Sequence, residues 1–126
     1  MTEAATLTME KDHDLISSSR VEGTPVYNSD GEKLGSVKEV MINKMTGQVA
    51  YAVMSFGGFL GVGERYHPLP WGVLTFDTKK LGYQVNIDKE VLKNAPTHGP
   101  EDQNWYLNRA FENSVFQYYG VTPYWL

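Results

Sequence analysis

Three histidines, His13, His67 and His98, are the residues most able to move a proton or bind a metal near neutral pH. They fall far apart in the chain, with no pair at the spacing of a metal site, so coordination by histidine is not expected. Glu64 stands three residues before His67, and an acid beside an imidazole can serve proton transfer. On a regular strand, however, residues three apart face opposite sides. Ser55-Phe56-Gly57 lacks the preceding glycine of a nucleophile elbow, and without cysteine there is no thiol nucleophile, disulfide or zinc–thiolate site. The run Gly57 to Gly63 has backbone N–H groups that could cradle an anion. It lacks the lysine and hydroxyl residue of a phosphate loop and leads into a strand, so it reads as an apolar docking loop presenting Phe59 and Leu60. No acid, base and nucleophile converge by spacing, and the chain is expected to have no catalytic, cofactor or metal residue and not to be an enzyme.

The elements around these residues are organised on the stretch Lys33 to Phe56, two strands joined at Lys44-Met45-Thr46-Gly47. In the second arm Val49, Tyr51 and Val53 point one way and Ala50, Ala52, Met54 and Phe56 the other, so both faces need cover. Val37 and Val40 break the period of two, which places a bulge at Lys38-Glu39. A strand over Thr24–Asn28 precedes this hairpin, entered through the turn Asn28-Ser29-Asp30-Gly31. Three more follow: Glu64 to Trp71, held to an edge by Pro68 and Pro70; Val73 to Phe76; and an alternating run through Tyr83, Val85 and Ile87. The fold expected is mainly β, a small antiparallel barrel of about six strands, with a short helix over Lys89–Asn94 and an amphipathic C-terminal helix.

A chain of 126 residues holds one domain, and a net charge of −4 argues against electrostatic binding to nucleic acid or to an anionic membrane. Residues 1–12 read as a flexible leader without the features of a secretory signal, residues 13–96 as the barrel, and residues 97–126 as linker, helix and aromatic tail. No run approaches membrane-spanning length, so a cytoplasmic location is expected. A helix should start at Pro100-Glu101-Asp102, bury a stripe of Leu107, Phe111, Val115 and Tyr118, and close at Gly120. Trp105, Phe111, Tyr118, Tyr119, Tyr124 and Trp125 crowd this short tail at the density of an interface core, on its own barrel or on a second copy, and a homodimer is expected.

Gly23-x-Pro25-Val26-Tyr27, Asp30-Gly31-x-x-Leu34-Gly35-x-Val37-x-x-Val40, Thr46-Gly47-x-Val49-x-Tyr51 and His67-x-Leu69-Pro70-Trp71 together resemble the PRC-barrel family, over roughly Leu15 to Ala95. That family includes the cytoplasmic part of the photosynthetic reaction-centre H subunit and the C-terminal domain of a ribosome-maturation factor. The tail Tyr118-Tyr119-Gly120-Val121-x-Pro123-Tyr124-Trp125 is similar to that of small single-domain bacterial members. The resemblance implies a small β-barrel and a non-enzymatic protein-interaction or assembly module, with no shared catalytic residue and no named partner to carry over. A small-ligand or metal-binding regulatory barrel is the alternative.

Overall fold

The computed structural model describes residues 14–56 and 64–126. The elements, in chain order, are α1 (Ser18–Val21), β1 (Pro25–Tyr27), β2 (Lys33–Ile42), β3 (Val49–Phe56), β4 (Arg65–Pro70), β5 (Thr75–Asp77), β6 (Gly82–Gln84), α2 (Lys89–Lys93) and α3 (Arg109–Tyr119). Two 3-10 turns, Trp71–Val73 and Trp105–Leu107, precede β5 and α3. The leader and the Gly57–Gly63 loop, with Phe59 and Leu60, lie outside the described residues.

The local turn chemistry is as the residue types require. Asn28 Oδ1 accepts from the backbone N–H of Asp30 (3.0 Å) and Glu32 (2.9 Å), and Gly31 takes a φ of 84° that few other residues tolerate. Gly47, at φ 80°, plays the same part in the β2–β3 hairpin. The bulge falls where the valine spacing puts it: Val37 pairs with Met54 and Glu39 with Val53, leaving Lys38 as the extra residue. Val37 is thereby buried and Val40 packs against the same core. Ser17 and Asp88 occupy the N-cap positions of α1 and α2, yet neither side chain makes a capping bond.

The sheet corrects the antiparallel barrel. Its order is β4-β3-β2-β1-β6-β5, and β1 runs parallel to β6, with Val26 opposite Tyr83. The β5–β6 hairpin returns alongside β1, where Val26, Tyr83 and Val85 are all buried in one cluster. Hydrogen bonding does not close the ring between β4 and β5. In β4, Pro68 and Pro70 have no N–H to give, and β5 is three residues long, so neither edge can sustain a ladder. The outer side of β4 is met by an isolated bridge, Tyr66 to His98.

Strand β3 has apolar cover on both sides, as its two-faced pattern demands, although Ala50, expected on the side of Ala52 and Met54, belongs to the outer cluster. Ala52 and Met54 join Val26, Leu34, Val37, Leu69 and Leu92 in the inner cluster. Tyr51 and Val53 join Tyr66, Trp105, Val115 and Phe116 in the outer one, so the C-terminal segment packs on its own sheet.

Candidate functional site

Helix α3 does not start at Pro100. Residues 99–104 turn back on themselves, with the Asp102 N–H bonded to the Gly99 carbonyl (3.1 Å), and the helix begins after Asn108, whose Oδ1 accepts from the Phe111 N–H at 3.1 Å. A side-chain acceptor aimed at the free N–H groups of a first turn fixes a helix end better than acids without such a bond. Gly120 closes the helix at φ 68° as expected. The later start also changes the buried face. Leu107, outside the helix, is 72% exposed and Tyr118 39%, whereas Glu112, Val115 and Phe116 are buried and Tyr119 is half-buried.

The buried face therefore holds a carboxylate. Glu112 Oε2 accepts from the Tyr51 hydroxyl at 2.8 Å and from the Tyr124 hydroxyl at 2.7 Å, tying sheet, helix and tail at one oxygen. Burial first, then the hydrogen bond and charge of Glu112, push both phenols above the usual tyrosine range. Arg109 reaches Glu112 Oε1 only at 3.7 Å; its guanidinium lies 3.8 Å from the Trp125 ring centroid.

Beside this latch lies an open cavity of about 500 Å³, walled by Met41, Ile42 and Met45 of the β2–β3 hairpin, by Tyr106 and Leu107, and by Tyr124. Met45 is 87% exposed and Ile42 53%, so large apolar side chains face water around a concave surface. Hairpin and tail build this groove together. Met45, in a turn, gives no periodic signal in the sequence; the helical spacing that assigns Leu107 to the buried stripe fails because the helix begins only after Asn108.

Most of the aromatic residues singled out in the sequence pack within the chain. Trp105 is buried, edge-on to Tyr51 at 5.2 Å; Phe111 and Tyr119 pack partly buried against the outer cluster. Trp125 meets Phe116 edge-on at 5.5 Å. The Tyr118 hydroxyl donates to the Val91 carbonyl at 2.6 Å, joining α3 to α2. Tyr124, 38% exposed, is the one of these six residues that also lines the groove.

Among the described residues, outside which His13 lies, the titratable candidates do not converge. Ser55 Oγ donates to Glu64 Oε1 at 2.6 Å, and Glu64 Oε2 accepts from Tyr66, on the face opposite His67. His67 is buried edge-on to Phe56 at 5.1 Å, and burial, with lesser contributions from Arg65 and His98, lowers its pKa to about 4. His98 stacks on Trp105 with ring centroids 5.0 Å apart. Among the described residues, no group of three or more His, Asp or Glu is placed to hold a metal ion. No helix among them is long and apolar enough to cross a membrane.

The family described as PRC-barrel domain matches residues 13–92. No curated protein matches the chain. Among solved structures, that of a proposed 16S ribosomal RNA processing protein, RimM, from Pseudomonas aeruginosa is similar over 63% of this chain, at 19% identity and a TM-score of 0.40. The similarity spans 48% of that protein, about half its length.

Proposed function

This chain belongs to the PRC-barrel family, and from that premise we propose that it is a non-enzymatic protein-interaction module whose partner docks an apolar segment into the groove between the β2–β3 hairpin and the C-terminal tail. One observation carries the reading: exposed Met45, Ile42 and Leu107 surround a cavity whose inner wall, Tyr51 and Glu112, is rigidly bonded. Exposed apolar groups on a pre-formed concave surface bind with little ordering cost. The apolar Phe59–Leu60 loop is a second proposed contact.

Photo-crosslinking in cells tests this. A benzoylphenylalanine at Leu107 should trap one defined protein, another copy of this chain if the module is a homodimer, and the same probe at exposed Ser114 should not. Met45→Asp should abolish the adduct while leaving the unfolding midpoint unchanged. Equal trapping at both positions, or an adduct indifferent to Met45→Asp, would overturn the groove as the docking site. Phe59→Ser with Leu60→Ser, in the same assay, reports whether the loop contributes.

A further inference from the structure

Two cavities, of about 520 and 340 Å³, share His98, Asp102, Gln103 and Trp105 in their walls. The larger adds Glu101 and contains no lysine or arginine; the smaller adds Lys38 and Glu39. His98 is only 5% exposed. Its Nδ1 lies 3.2 Å from the Gly99 carbonyl oxygen, which can only accept, so Nδ1 carries the proton and Nε2 is left as a bare acceptor. Nε2 is buried and has no hydrogen-bond partner. Burial, the largest influence, lowers the pKa of the ring, which keeps the imidazole neutral at pH 7.

A buried acceptor without a donor is costly, and nearly all such atoms in folded proteins are paired. What would pair this one is a hydrogen-bond donor, and an N–H group entering from the cavity that His98 lines can serve. The carboxylates of Glu101 and Asp102 favour a donor that is also positively charged, and a neutral ring acceptor does not oppose it. The Trp105 ring, held in place by its stack on His98, supplies the apolar wall.

We propose that these joined walls bind an organic cation, an ammonium or guanidinium group that donates to His98 Nε2 and is balanced by Glu101 and Asp102. The group belongs either to a free amine or to a lysine or arginine side chain of a protein.

Full-length protein would be titrated with N-acetyl-arginine amide and with a short arginine-containing peptide, each beside its uncharged citrulline counterpart, reading the Nε2 resonance of His98 and Trp fluorescence. Saturable shifts are expected with arginine and not with citrulline. Asp102→Asn, at an exposed position, and His98→Phe, which keeps a ring on Trp105, should each weaken binding at least tenfold. Binding of the free amide points to a small amine, and binding of the peptide alone to a protein side chain; both support the site. Citrulline binding as well as arginine, no saturation with either probe, or unchanged affinity in Asp102→Asn would overturn it.

Discussion

Two buried polar atoms set the behaviour expected at the level of single residues. The Tyr119 hydroxyl is buried without a hydrogen-bond partner, and burial raises its pKa. Tyr119→Phe removes that unsatisfied group and keeps the ring, so it should leave stability unchanged or raise it by about 1 kcal/mol, measured by urea unfolding. A loss of more than that would show that the hydroxyl has a partner. His67 gives the second expectation. Its folded pKa, about 4, lies below the ordinary histidine value of 6.5, so between these limits the unfolded chain binds a proton that the folded chain refuses. Stability should be constant above pH 6.5 and fall as the pH drops toward 4, by about 2 kcal/mol between pH 7 and pH 5 from this residue alone. His98, shifted in the same direction, adds to the slope. Unfolding midpoints across that range should flatten in His67→Phe; an unchanged slope would assign the effect elsewhere.

Among the elements, the β2–β3 pair depends on a close approach at Gly35. That residue pairs with Phe56, and a Cβ placed on it would collide with the Ser55 backbone carbonyl oxygen and approach the Met54 side chain at 3.3 Å. Backbone cannot yield as a side-chain tip does. Gly35→Ala should therefore push the strands apart and cost on the order of 2 kcal/mol or more, read as a lower unfolding midpoint. A midpoint within experimental error of the parent would show that β2 can shift without losing its ladder. Helix α3 shows the opposite relation between residue and element. Its ends are set locally by Asn108 and Gly120, but the side it buries is set by the sheet beneath, which supplies the Tyr51 hydroxyl for Glu112.

At the scale of the whole molecule, the last six residues act as a strap across the outer layer. The Val121 N–H bonds the Phe116 carbonyl at 3.1 Å, Tyr124 bonds Glu112, and Trp125 lies against Phe116. Deleting residues 121–126 would uncover Phe116 and take one of the two hydroxyl donors from Glu112. The far-ultraviolet circular dichroism of the sheet should persist while the unfolding midpoint falls and the chain aggregates at concentrations the parent tolerates. A truncated protein as soluble and stable as the parent would mean that the strap adds nothing to the outer layer.

Chain-local features were legible in the sequence because their causes are local. The Asn28–Gly31 and Lys44–Gly47 turns, the Lys38 bulge, the edge position of the Pro68–Pro70 strand and the two-sided cover of β3 each follow from a few neighbouring side chains and a fixed backbone period. The same motifs, in order, carried the family. Tertiary structure decided the rest, because each remaining feature joins residues distant in sequence. The parallel contact of β1 with β6 depends on where a later hairpin comes to lie, which no hydrophobic period encodes. The bond from Tyr51 to Glu112 spans 61 positions, and an acid inside a polar-looking helix gives no sign of a hydroxyl waiting in the sheet. The groove and the His98 cavity are likewise made where separate segments meet, and a concave surface has no spacing to read until the segments are packed.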